Sequence, residues 1–187
     1  MKENLNIGTR INGSQNQTDN SQIEKYCFDD NENNCDEYGG LYQWWEMMQY
    51  TTTQGAQGIC PTDWHIATDD EWKILEGTVD TQYGVGNSIW DETGFRGFDA
   101  GKQLKATTGW FINKGIRTSG FSALPGGWWD SVGGYWSMGS LGFWWTSTES
   151  SSSSFGLYRK LENGGNDQIF RHDDTKYRGF SVRCIKD

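Results

Sequence analysis

Gly58-Ile59-Cys60-Pro61-Thr62-Asp63-Trp64-His65-Ile66-Ala67-Thr68-Asp69-Asp70-Glu71-Trp72 joins a cysteine and a turn to the start of a helix. Thr68 can cap free backbone N–H groups, and Glu71, three residues on, can bond back, which makes a capping box. Asp69 and Asp70 in the same first turn suit the helix dipole. Trp72, Leu75 and Val79 then fall on one face, so the spacing predicts a helix that buries that face. Upstream, Leu41, Trp44, Trp45 and Met48 carry the same spacing and predict a second helix. Trp44, Trp45, Trp64, Trp72 and Trp145 are assigned to the core.

Cys60 is one of four cysteines, with Cys27, Cys35 and Cys184. An even count in a Gly-rich, acidic chain fits two disulfides and an oxidising compartment. Cys27 and Cys35 flank a short polar loop, so a local bridge is the economical pairing, and it leaves Cys60 with Cys184. Zinc is disfavoured: there is no Cys-x-x-Cys, and the two histidines, His65 and His172, lie far from any paired-ligand spacing. Asp29, Asn31 and Asn33 alternate like calcium ligands. Asn34 stands where that loop needs Gly and Gly40 where it needs Glu, so a disulfide-pinned polar loop is the default.

The chain has 187 residues, with 25 Gly, 11 Trp, 2 Pro and a formal net charge of −9. That length suits a single domain over 1–187. The acidic balance argues against nucleic acid as a partner. No stretch approaches the ~20 apolar residues of a membrane span. Met1 is followed by Lys2-Glu3-Asn4 with no apolar run, so an exported form would have its signal removed or upstream. Residues 12–22 read as a polar loop, and the glycosylation patterns at Asn12 and Asn16 would be idle in a bacterial protein. The Gly-rich stretch 83–101 reads as a long loop, and Lys102–Lys105 as a short turn of helix or strand. Beyond Phe121, short strands are expected at 143–147, 157–162, 168–171 and 180–185. Turns separate them at 150–154, 163–166 and Asp173-Asp174. In the last strand Phe180, Val182 and Cys184 should face one way, and Ser181 and Arg183 the other.

Several phrases, in order, carry a family resemblance: Glu3-Asn4-Leu5-Asn6, Tyr26-Cys27, Tyr38-Gly39-Gly40-Leu41-Tyr42, Gly58-Ile59-Cys60-Pro61-Thr62-Asp63-Trp64-His65 and Leu104-Lys105-Ala106-Thr107. They continue with Gly120-Phe121-Ser122-Ala123-Leu124-Pro125-Gly126-Gly127, Trp144-Trp145-Thr146-Ser147-Thr148-Glu149 and Gly179-Phe180-Ser181-Val182-Arg183-Cys184. Together they resemble the Fibrobacter succinogenes major paralogous domain family, which is grouped with C-type lectin-like folds. Its members are typical of exported or surface proteins of Bacteroidetes. The resemblance implies an α+β, C-type lectin-like fold: two helices, a small twisted antiparallel sheet, long loops, and first and last strands near each other.

Domains of this kind also serve as variable proteins of diversity-generating retroelements. Here fixed-looking phrases alternate with chemically mixed stretches between Trp128 and Arg178, which resembles that arrangement. Within residues 124–184, the ligand-binding candidates are Trp128, Trp129, Asp130, Tyr135, Trp136, Phe143, Tyr158, Phe170, His172, Asp173, Asp174 and Tyr177. Rigid aromatics offer contact area at low entropic cost, and the charged residues would form a polar rim. Adjacent Trp128 and Trp129 cannot bury the same face, so two or three of Trp128, Trp129, Tyr135, Trp136 and Phe143 should be exposed. The bland alternative is gap-filling aromatics beside a solvated hairpin turn.

The functional expectation is a non-enzymatic binding module, at the cell surface or a virion tip, for a protein or glycan receptor, with no cofactor. The competing reading is an enzyme related to formylglycine-generating enzymes, which share the broader fold and use paired reactive cysteines. Cys184 is better explained as a disulfide partner, and no nucleophile elbow or phosphate-binding loop is present.

Overall fold

The computed structural model describes residues 1–116, 119–132 and 134–187. In chain order the elements are β1 (Thr9–Arg10), β2 (Glu24–Lys25), α1 (Glu32–Tyr38), α2 (Trp44–Met47), β3 (Trp64–Ile66), α3 (Asp69–Val79) and β4 (Gly94–Arg96). Then follow α4 (Ala100–Leu104), β5 (Trp128–Asp130), β6 (Gly134–Trp136), β7 (Leu141–Glu149), β8 (Phe155–Glu162), β9 (Ile169–Thr175) and β10 (Cys184–Lys186). The architecture is α+β.

α3 begins as the sequence requires. Thr68 Oγ1 accepts from the Glu71 amide, and Glu71 Oε2 accepts from the Thr68 amide at 2.8 Å. Trp72 is buried, Leu75 and Val79 are half-buried, and Glu76 is buried as well.

The principal sheet is antiparallel, in the order β4-β9-β8-β7. Its register sets Phe143 opposite Lys160, Tyr158 opposite His172, and Phe95 opposite Phe170. Successive strand residues point to opposite faces. One face carries Trp144, Leu161 and Ile169 into a core with Trp72 of α3, Trp90 and Leu104. The other carries Phe143, Trp145 and Tyr158 into a core with Tyr42, Trp44, Phe180 and Val182.

The polar side of α3 is tied to the first face. Buried Arg159 bonds Asp69 at 2.7 Å and Glu76 at 2.5 Å, Arg96 bonds Glu76 at 2.5 Å, and Arg171 bonds Asp69. Burial pushes the Asp69 carboxyl up, but the hydrogen bond from Arg171 and the charge of Arg159 outweigh it and hold it well below the carboxylate range.

Both expected disulfides are present, Cys27–Cys35 and Cys60–Cys184. The second spans 124 residues and fastens β10 to the turn before β3, with which β10 pairs. The Leu5 amide donates to the Val182 carbonyl at 3.0 Å, which brings the first residues beside the last.

The structure corrects several local expectations. The stretch after Cys27, expected as a loop, holds a 3-10 turn at Phe28–Asp30 and then α1, capped by the Asn31 side chain and fastened by Cys35. The helix expected from Leu41 shrinks to Trp44–Met47, because Leu41 pairs with Tyr26 and Tyr42 with Phe180. With α1 and α4 there are four helices among the described residues, not two. The expected 83–101 loop contains a 3-10 turn at Ser88–Asp91 and β4, which lengthens the sheet. Asp173-Asp174 lies inside β9 rather than in a turn, because β9 pairs with β8 as far as Thr175, and Asp173 accepts from Ser150. Of the expected 180–185 strand, only the end from Cys184 forms one; Ser181 and Arg183 are buried along with Phe180 and Val182. Trp45 and Trp64 are half-buried at the core edge rather than inside it.

Candidate functional site

The β5–β6 hairpin sorts its aromatics by strand alternation. Trp128 pairs with Trp136, and Trp129 with Tyr135. Trp129 is 1% exposed; it stacks on Tyr26 with ring centroids 4.0 Å apart, and its Nε1 donates to the Gly13 carbonyl. Tyr135 packs on Phe28 and donates its hydroxyl to Asp30 Oδ1 at 2.8 Å. These two rings anchor the hairpin and do not reach its opposite face.

Trp128 and Trp136 turn the other way and begin a row of rings. Trp136 stacks on Trp128 at 6.5 Å, and Trp128 meets Phe143 at 6.1 Å. Phe143 then meets Tyr158 at 5.7 Å, and Tyr158 meets Phe170 at 6.2 Å. Phe170 stacks on His172 at 6.0 Å and touches Phe95 at 4.9 Å. The row is buried in its middle and exposed at its ends, with Trp136 at 52% and Phe95 at 36%. Between hairpin and sheet lies an open cavity of about 350 Å³, lined by Trp128, Phe143, Tyr158, Lys160, Phe170 and Asp174 among others.

Charged groups rim this cavity. The Arg178 guanidinium lies 4.7 Å over the Trp128 ring and pairs with Asp130 at 2.9 Å and Asp174 at 3.5 Å. Lys160 sits 4.3 Å over Phe170 and 4.8 Å over Phe95, and pairs with Glu162 at 3.3 Å. The turn that aims Arg178 is fixed by Lys176, which is buried over the Trp44 and Trp45 rings at 3.9 and 4.0 Å and ion-pairs with Glu149.

Thus Trp128, Asp130, Trp136, Phe143, Tyr158, Phe170, His172 and Asp174 are brought together, while Trp129 and Tyr135 are not. Asp173 alternates to the α3 side of the sheet and engages Ser150. Tyr177 is exposed on the turn after β9 and, among the described residues, makes no ring contact with the row. Sequence reasoning missed Phe95, Lys160 and Arg178. Lys160 was reachable from Tyr158 by the period of two in β8. Phe95 was not, because Gly94 and Gly97 around it read as loop.

Of Asp29, Asn31 and Asn33, the residues considered for calcium, Asn31 has its side-chain oxygen engaged as the cap of α1, accepting from the Asn33 amide. Among the described residues, the one cluster of metal-ligating types is Cys27, Glu32 and Cys35, and its cysteines are bonded to each other.

The sequence matches the Fibrobacter succinogenes major domain over residues 1–186. The chain belongs to this family. The match spans β4, the β5–β6 hairpin and β7–β9, so the aromatic face is built by the Fibrobacter succinogenes major domain itself. No curated protein and no solved structure gives a significant match. Among the described residues no helix is long and apolar enough to cross a membrane.

Proposed function

We propose that this domain is a non-enzymatic ligand-binding module of an exported or surface protein. It engages a protein or glycan receptor through the β5–β6 hairpin and the uncovered part of the sheet. One observation carries this reading: rings from four strands and a hairpin form a row that emerges at Trp136 and Phe95 beside paired charges. An apolar centre with a polar rim is the anatomy of a recognition surface. A C-type lectin-like fold accords with the adjacent chain ends and the Cys60–Cys184 closure. Two disulfides accord with an oxidising, extracellular setting. All four cysteines are bonded, which leaves no thiol for formylglycine-type chemistry.

The test is quantitative binding of the labelled domain to whole bacterial and host cells. Phe95, Trp136 and Phe170, all replaced by Ala, should abolish binding while preserving the circular dichroism spectrum. Unchanged binding by that variant would contradict the proposal.

A retroelement-diversified segment is the second reading, and one pattern favours it. The mixed stretches supply Trp128, Asp130, Trp136, His172 and Arg178 to the face. The fixed-looking phrases supply buried Trp145, Thr146, Ser147, Phe180 and Val182. A reverse transcriptase gene with an imperfect repeat of the 128–184 coding segment nearby is the expected genomic sign, and its absence would count against diversification.

A further inference from the structure

We propose that the cavity between the hairpin and the sheet is a subsite for one neutral pyranose ring, stacked on its aromatic walls and hydrogen-bonded to Tyr158 and Asp174. The inference rests on the binding face above and names the chemistry it takes.

Tyr158 is 8% exposed, with its ring wedged among Phe143, Phe170 and Phe180. Its hydroxyl lacks a hydrogen-bond partner among the described residues, although the residue lines the cavity. It is not among the fully buried unpaired polar atoms, so the hydroxyl opens into the cavity and is free to bond a ligand there. Burial, with the charges of Asp174 and Asp173, raises its pKa and keeps it a donor. Asp174 supplies the complementary acceptor. Its Oδ1 is engaged by the Thr175 amide at 2.7 Å and by Arg178, whereas Oδ2 has no partner among the described residues. A donor and an acceptor beside aromatic walls match a ring whose hydroxyls both accept and donate, and whose C–H faces are apolar.

Other ligand classes fit less well. Lys160 and Arg178 would repel the quaternary ammonium that an aromatic cage otherwise takes. Both cations already face carboxylates, Glu162 for one and Asp130 and Asp174 for the other, so no unbalanced positive field selects an anion. A purely apolar ligand would cover the Tyr158 hydroxyl and Asp174 Oδ2 without giving either a hydrogen bond. The volume of about 350 Å³ lies at the small end of ligand cavities, which suits one ring rather than an extended chain.

The experiment titrates the methyl pyranosides of glucose, galactose, mannose and N-acetylglucosamine into the whole domain. Saturation-transfer NMR and tryptophan fluorescence report binding. At least one glycoside should bind with a millimolar Kd. Tyr158→Phe and Asp174→Asn should each weaken it by roughly tenfold, with unchanged thermal unfolding. Such rings occur on glycoproteins and in free polysaccharides, and an array carrying both separates these sources. Failure of every glycoside at tens of millimolar, or undiminished binding by both variants, would overturn the subsite. If cell binding still depends on Trp136 and Phe170 in that case, the face stands without the sugar. If it does not, both readings fall.

Discussion

Tyr135 donates its hydroxyl to Asp30 Oδ1 at 2.8 Å and so ties the β5–β6 hairpin to the turn that the Cys27–Cys35 bridge closes. Asp29 and Asp30 both hold positive φ there, at 54° and 53°, a left-handed region that Asp enters more readily than most side chains. Tyr135→Phe removes the tether but leaves Asp30 its bond from the Gly13 amide. The expected cost is about 1 kcal/mol in urea unfolding. Amide exchange should speed up over 128–136 and stay unchanged in α3.

The Cys60–Cys184 bridge closes a long loop, so its main effect is on the unfolded chain. Replacing both residues with Ala should cost about 2–5 kcal/mol. Urea unfolding of the double variant under oxidising conditions measures this. A variant as stable as the parent would remove the closure from the account.

Arg159 is the centre of the buried network behind the sheet. Asp69→Ala leaves Arg159 and Arg171 short of a carboxylate and should destabilise by about 3–5 kcal/mol. Because the folded Asp69 carboxyl is held low, its contribution is present above the ordinary aspartate pKa, about 3.9, and lost as pH falls through the folded value. Acid titration of thermal unfolding in parent and variant should converge at the lowest pH.

His65 gives the opposite sign. Its Nε2 lies 2.8 Å from Glu71 and its Nδ1 2.6 Å from Asp187. Partial burial lowers its pKa, but the two carboxylates outweigh that and raise it above the usual value. The stabilisation is therefore complete below the unfolded pKa of about 6.5 and lost as pH rises through the folded one. Tm should decline from about pH 6.5 into the mildly alkaline range, and His65→Gln should flatten that slope.

Much of this was legible in the sequence where the signal is local. The Thr68–Glu71 capping box needs four neighbouring residues, and the splitting of Trp128 from Trp129 follows from strand alternation alone. The cysteine pairing follows from the shortness of the Cys27–Cys35 loop. What was hidden depends on distant partners. β4 reads as loop until β9 lies beside it, and Asp173-Asp174 reads as a turn until β8 supplies a register. Trp129 looked like a display residue because nothing near it in sequence reveals Tyr26. The two unpaired groups that single out the cavity, the Tyr158 hydroxyl and Asp174 Oδ2, are visible only in three dimensions.

The proposed binding face is tested most directly by a matched pair of substitutions read in the cell-binding assay. Trp136→Ala removes an exposed ring from the face, and Ile74→Ala removes a side chain of similar exposure, 53% against 52%, from α3 on the far side of the sheet. Trp136→Ala should reduce affinity at least roughly tenfold, as hot-spot tryptophans do, with Ile74→Ala indistinguishable from the parent. Loss of binding by Ile74→Ala with Trp136→Ala unaffected would place the receptor on the wrong side of the molecule and contradict the account.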